Sequence, residues 1–174
     1  MPSRPAPPLV SWSEGSDGHG WLAVPFYGPV STRFHAPIEL SRPARGGVAT
    51  FRLKQKAGKW ELMPAWLSKD IGPGEEAMQA NGVLFTYVSG EDVRVTMDDR
   101  AWDEPLPPYT GSGNRIANST HATVYALDAA TGKELWSSGD QITSWNHFSG
   151  ISGANGRVYL PTFDGMLYCF GITK

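Results

Sequence analysis

Thr123-Val-Tyr-Ala-Leu-Asp-Ala-Ala-Thr-Gly-Lys-Glu-Leu-Trp136 is the stretch whose reading decides the fold. Val124 and Ala126 alternate with Tyr125 and Leu127, the period of two that sends successive side chains to opposite faces of a strand. Residues 128–133 carry turn chemistry, and Leu135 with Trp136 resumes an extended apolar run. The pattern is strand, turn, strand, ending on a tryptophan. A second run, Asn155-Gly-Arg-Val-Tyr-Leu-Pro-Thr-Phe-Asp-Gly-Met-Leu-Tyr-Cys-Phe170, repeats the design. Asn155-Gly156 and Asp164-Gly165 are dipeptides suited to the positive φ of a type I′ hairpin turn. The fold class that follows is all-β, a row of antiparallel meanders.

Working outward, the same grammar recurs upstream. Residues 10–12 and 21–27 form a first hairpin, and a proline-broken loop over 28–47 leads to a strand over 48–53. Lys56-Ala-Gly-Lys59 reads as a degenerate copy of the Thr-Gly-Lys turn, with an outer strand over 60–66 after it. The next unit has strands at 77–80 and 83–88 around Asn81-Gly82, an insertion over 89–121, then strands at 122–128 and 134–137. The last has strands at 148–153, 157–162 and 166–171 and lacks a fourth. Asn81 to Asn155 spans 74 residues and Trp66 to Trp136 spans 70, so the units repeat at a period stretched by insertions. The expected organisation is a proline-rich arm over 1–9, then a partial propeller over 10–174 with blades at about 10–68, 77–138 and 148–172.

Composition agrees. Twenty Gly, fourteen Pro and seven Trp suit short strands, tight turns and large aromatic plugs better than helices. The 15 Lys and Arg are scattered and the net charge is −2, so the basic footprint of a nucleic-acid binder is missing. No apolar run reaches the roughly 18 residues that a membrane-spanning helix needs, and the start carries no signal-peptide core. Cys169 has no intrachain partner, and its apolar neighbours predict a buried, inert thiol.

At Ala126, Asp128, Thr131, Gly132, Lys133 and Trp136 the chain resembles the pyrroloquinoline-quinone (PQQ) type β-propeller repeat, whose docking motif is Ala-x-Asp-x-x-Thr-Gly-Lys-x-x-Trp. The resemblance implies four-stranded blades, with these six residues as structural blade-docking positions. Proteins of this type include eight-bladed quinoprotein dehydrogenases, with PQQ and calcium in a central channel, and non-catalytic scaffolds that bind proteins. They are typically periplasmic or secreted, and their last blade is usually finished by a strand from the N-terminus of the same chain. No such strand is recognisable here. The adjacent cysteine pair of the dehydrogenases is also missing, as is an Asp that can be placed on their catalytic position. Three blades with one unfinished cannot close a ring, which implies a fragment, self-association, or a partner chain that completes the propeller.

Chemistry is expected on one face. In a four-stranded meander the loop after the second strand and the loop between blades emerge together, which gathers 28–47, 67–76, 89–121 and 137–147. Rigid scaffolds build sites on such loops. Asp98, Asp99, Asp103 and Glu104 offer enough carboxylate oxygen for a calcium ion, although their spacing matches no EF-hand loop; a solvated acidic loop is the competing reading. His147, in Trp145-Asn146-His147-Phe148, and His121 are the candidate general bases. A histidine packed between Trp145 and Phe148 is the structural alternative. Ser149-Gly-Ile-Ser-Gly153 is not a nucleophile elbow, and Gly111-Ser-Gly113 lacks the third glycine of a dinucleotide loop. Three functions remain: a binding or scaffold module, a calcium-dependent hydrolase of lactonase or esterase type, and a quinoprotein oxidoreductase.

Overall fold

The computed structural model describes residues 4–5, 9–13, 20–91 and 118–171, and every element of regular structure among them longer than one residue is a β-strand. The chain is all-β, built as three successive sheets in an open, propeller-like row. The first sheet holds β1 (Arg4–Pro5), β2 (Val10–Ser13), β3 (Gly20–Tyr27), β4 (Ile38–Glu39), β5 (Gly46–Lys56) and β6 (Lys59–Leu67). Its order is β1-β3-β5-β6-β4, with β2 also on β3; all pairs are antiparallel except β4 on β6. The second sheet is β7 (Gly74–Ala80), β8 (Val83–Val88), β9 (Thr123–Asp128) and β10 (Glu134–Ser137), a four-stranded meander in chain order. The third is β11 (Ser152–Ala154), β12 (Arg157–Pro161) and β13 (Leu167–Gly171).

The turns obey the chemistry of their residues. Asn81-Gly82 and Asn155-Gly156 both have positive φ at both positions, as a type I′ hairpin requires. Ala57-Gly58 does the same, so Lys56 pairs directly with Lys59 across a two-residue hairpin. It is therefore not a copy of the Thr-Gly-Lys turn, which is longer. There the Asp128 carboxylate accepts from the Ala130 and Thr131 amides and the Thr131 hydroxyl, and the Gly132 amide donates to the Asp128 carbonyl. Such side-chain capture of backbone donors is how Asp stabilises a turn without a helix or ladder to satisfy it.

The sheets stack face to face, and strand alternation assigns the layers. In β8, Leu84 and Val88 face the first sheet and join Trp21, Ala23, Val48, Trp66 and Leu127 in one core. Tyr87 faces the other way and joins Val124, Ile142, Val158 and Leu160 in a second core. The central strands β8 and β9 are thus covered on both faces, which explains their largely apolar sequences. A third cluster, Phe26, Ala49 and Leu67, is covered by Val30 and Phe34 of the loop after β3. That end of the first sheet is therefore covered by its own chain, while Trp60, Leu62 and Met63 of β6 remain exposed further along.

The hook between sheets is Trp66. It is fully buried, its indole Nε1 donates to the Ala129 carbonyl at 2.9 Å, and its ring lies against Gly132. A Cβ on Gly132 would come within 2.4 Å of that ring. The glycine of the turn is required twice, by contact and by its φ of 74°. The partner of the 128–133 turn is thus the tryptophan of the preceding sheet. Trp136, 70 residues further on, leans on Phe170 of the third sheet with ring centroids 5.3 Å apart and stays 39% exposed.

Three expected details differ. The strand predicted over 148–153 begins at Ser152: Phe148 has φ 57° and is exposed, which ends any extended run there. The strand predicted from 77 begins at Gly74, with a register shift between Gly74 and Ala77. Cys169 is exposed, because it lies on the face of β13 opposite to Tyr168 and Phe170, the two residues that pack inward.

Candidate functional site

The β-bulge at the start of β7 creates the most unusual polar cluster among the described residues. Regular alternation would send Glu75 and Glu76 to opposite faces, and a bulge re-aims side chains at the end of a strand. The Thr86 hydroxyl donates to the Glu76 carbonyl at 3.0 Å, which satisfies a group that the irregular ladder leaves over. Close approach is made possible by glycines. A Cβ on Gly46 would meet the Phe26 and Gly72 carbonyl oxygens at 2.5 and 2.6 Å, and one on Gly74 would meet the Gly47 carbonyl at 2.9 Å. With no side chains there, the beginning of β7 lies directly on the end of β3. Glu75 thereby receives a hydrogen bond from the Tyr27 hydroxyl.

Two further loops arrive at the same point. The Ser89 hydroxyl accepts from the Glu91 amide, and the Ser89 carbonyl accepts from the Asn146 amide at 2.9 Å. The Tyr87 hydroxyl donates to the Ser149 carbonyl at 2.8 Å. These bonds seat residues 89–91 beside 146–149. The outcome is His147 Nδ1 at 2.7 Å from Glu75 Oε1 and 3.3 Å from Glu91 Oε2. One ligand atom from each of the three residues lies within 4.8 Å of the other two.

The cluster is nearly sealed from solvent. The side chains of Glu75, Glu91 and His147 are 1%, 3% and 11% exposed. Burial, and after it the nearby Glu75 carboxylate, raises the Glu76 carboxyl above the ordinary glutamate range. The Tyr87 phenol is raised as well, by burial first and the two glutamates second, so it is a neutral donor at any physiological pH. Asn146 is fully buried, and its side-chain amide has no hydrogen-bond partner among the described residues. An unsatisfied buried amide costs roughly 1–3 kcal/mol and calls for an explanation.

The structure places the sequence candidates unequally. His147 lies at the centre of the cluster and its ring also contacts Phe148, while Trp145 stacks on Phe163 instead. His121 does not bring its imidazole into the group; its backbone lies against Gly90, where the Thr120 amide donates to the Gly90 carbonyl. Asp98, Asp99, Asp103 and Glu104 fall outside the described residues. Ala126, Asp128, Thr131, Gly132, Lys133 and Trp136 lie on β9, its turn and β10, away from the cluster. Glu75 and Glu91 were not among the sequence candidates. The signal for Glu75 was the Gly-x-Gly-Glu-Glu run at 72–76, where a charged pair enters a strand after glycines. Glu91 carried no sequence signal of its own.

Comparison with known protein families, with curated proteins and with solved structures finds no match to this chain. Among the described residues no helix is long and apolar enough to cross a membrane.

Proposed function

We propose that this chain is a self-assembling scaffold module of propeller type, in which the free edge of β13 pairs with β13 of a second copy. The observation that carries the reading is the contrast between two tryptophans. Trp66 is fully covered by the turn of the following sheet, whereas Trp136 remains 39% exposed beside a sheet of three strands. In the third sheet Phe163, Met166 and Leu167 are exposed, and β13 pairs with β12 alone among the described strands. An unpaired strand edge flanked by apolar side chains is a template for another strand. The likeness of the 126–136 segment to the PQQ-type docking motif supports the same reading, since that motif is structural.

An antiparallel twofold pairing centred on the middle residue of β13 would set Cys169 opposite its own copy. Directly opposed residues lie about 4.5–5.5 Å apart at Cα, within the range that a disulfide bridges. The test is mass measurement over a concentration series, followed by oxidation with diamide. Dimers that diamide traps covalently in the wild type, and that Leu167→Lys weakens at least tenfold, are the expected result. A monomer at about 100 μM, untrapped by diamide, overturns the proposal.

A further inference from the structure

We infer that Glu75, Glu91 and His147 form a binding site for a single divalent ion of the zinc class, with Tyr27 holding the Glu75 carboxylate in position. The inference is independent of strand pairing at β13, since none of these residues lies on the third sheet.

The argument starts from the imidazole. His147 Nδ1 faces two carboxylate oxygens at 2.7 and 3.3 Å. A single proton on that nitrogen makes one straight hydrogen bond and cannot serve both oxygens equally well. A metal ion can bond all three atoms at once. In a tetrahedral site with bonds of about 2.0–2.1 Å, neighbouring ligand atoms lie about 3.3 Å apart. One observed separation matches that value and the other is shorter, with all three atoms within 4.8 Å of one another, so modest side-chain adjustment would admit an ion. Three protein ligands would leave a fourth position for water or another small ligand, the arrangement of catalytic rather than structural zinc.

The donor set selects the metal. One imidazole and two carboxylates suit zinc, manganese or iron(II), whereas calcium takes six to eight oxygens. The calcium expected from the acidic run at 98–104 is therefore not the ion this cluster fits. Tyr27 contributes the outer partner that metal-bound carboxylates usually have, a hydrogen bond that fixes their orientation. Asn146 is a second, separate observation. It neighbours His147 in the chain, is fully buried, and its amide is unsatisfied among the described residues. A polar ligand or ordered water nearby is the ordinary explanation for such a group.

The experiment is metal titration of the full chain with Zn²⁺, Co²⁺ and Ca²⁺, followed by X-ray absorption on the zinc-loaded wild type. One equivalent of zinc is expected, with oxygen neighbours and a single imidazole. Cobalt should give visible d–d bands that zinc displaces, and calcium should not compete. His147→Gln and Glu91→Gln should lose stoichiometric binding, and Tyr27→Phe should weaken it by about 10–100-fold. The inference is overturned if the folded wild type takes up no zinc or cobalt, or if folded His147→Gln binds as well as wild type. A sulfur neighbour or a second imidazole overturns it too, since either would place the ion on Cys169 or on another of the four histidines. Because the absorption measurement uses the wild type, it decides the matter even if a variant fails to fold.

Discussion

Gly132 concentrates two demands on one residue, a left-handed backbone and space for an indole. Replacing it with Ala adds strain of about 1–2 kcal/mol for the positive φ and an overpacking cost of about 1–3 kcal/mol against Trp66. Gly82 shares the backbone demand, with φ 77°, but a Cβ there meets nothing within 4 Å. Urea denaturation of the two variants should therefore place Gly132→Ala about 2 kcal/mol below Gly82→Ala. Equal losses would mean that the Trp66 contact has little energetic weight. The need for glycine at 132 was readable in the Thr-Gly-Lys turn, but its second reason was not. That reason lies on a residue 66 positions earlier in the chain, and no local pattern joins them. The site shows the same divide. His147 stood out as an imidazole just before the expected innermost strand of the last blade, whereas Glu75 and Glu91 became partners through a bulge and a loop whose geometry depends on packing with distant glycines.

At the scale of elements, β6 and β10 each carry a tryptophan one residue before their end, and the two differ in what lies over it. Truncating the fully buried Trp66 should cost about 3–5 kcal/mol, including the hydrogen bond to Ala129. Trp136→Ala, at a half-open position against Phe170, should cost about 1 kcal/mol in the isolated chain. Thermal melts of the two variants at low concentration give the comparison. If Trp136→Ala proves as costly as Trp66→Ala, something already covers Trp136 in solution. Strand positions were largely legible because period-two alternation and Asn-Gly turns are local signals. The misplaced strand at 148–153 shows the limit: Phe148 is apolar enough to suggest a strand, yet its positive φ and its contact with His147 belong to the loop.

For the whole molecule, the two ends of the stack differ in what covers them. Val30 and Phe34 cover part of the first sheet, whose β5–β6 hairpin still exposes Trp60 and Leu62, and the third sheet shows Leu167 and Cys169 to solvent. Assembly through the proposed twofold pairing of β13 should stop at two copies, not grow into chains, because the pairing uses up that edge. Analytical ultracentrifugation should find a monomer–dimer equilibrium, and higher species would contradict the placement of the interface. The order of three meanders was visible in the spacing of repeated turns. Which outer face carries its own cover was not, since the loop over 28–45 looks like any proline-rich connection until it folds back.

The Glu75–His147 contact joins residues 72 apart, and the Tyr27–Glu75 contact joins residues 48 apart. Contacts that close such long stretches of chain form after the local hairpins, because the entropy of loop closure must be met first. The cluster should thus be a late arrival on the folding route, after the local hairpins. An ion bound at these side chains should therefore act mainly on the escape rate, lengthening the lifetime of the folded chain while leaving the speed of folding almost unchanged.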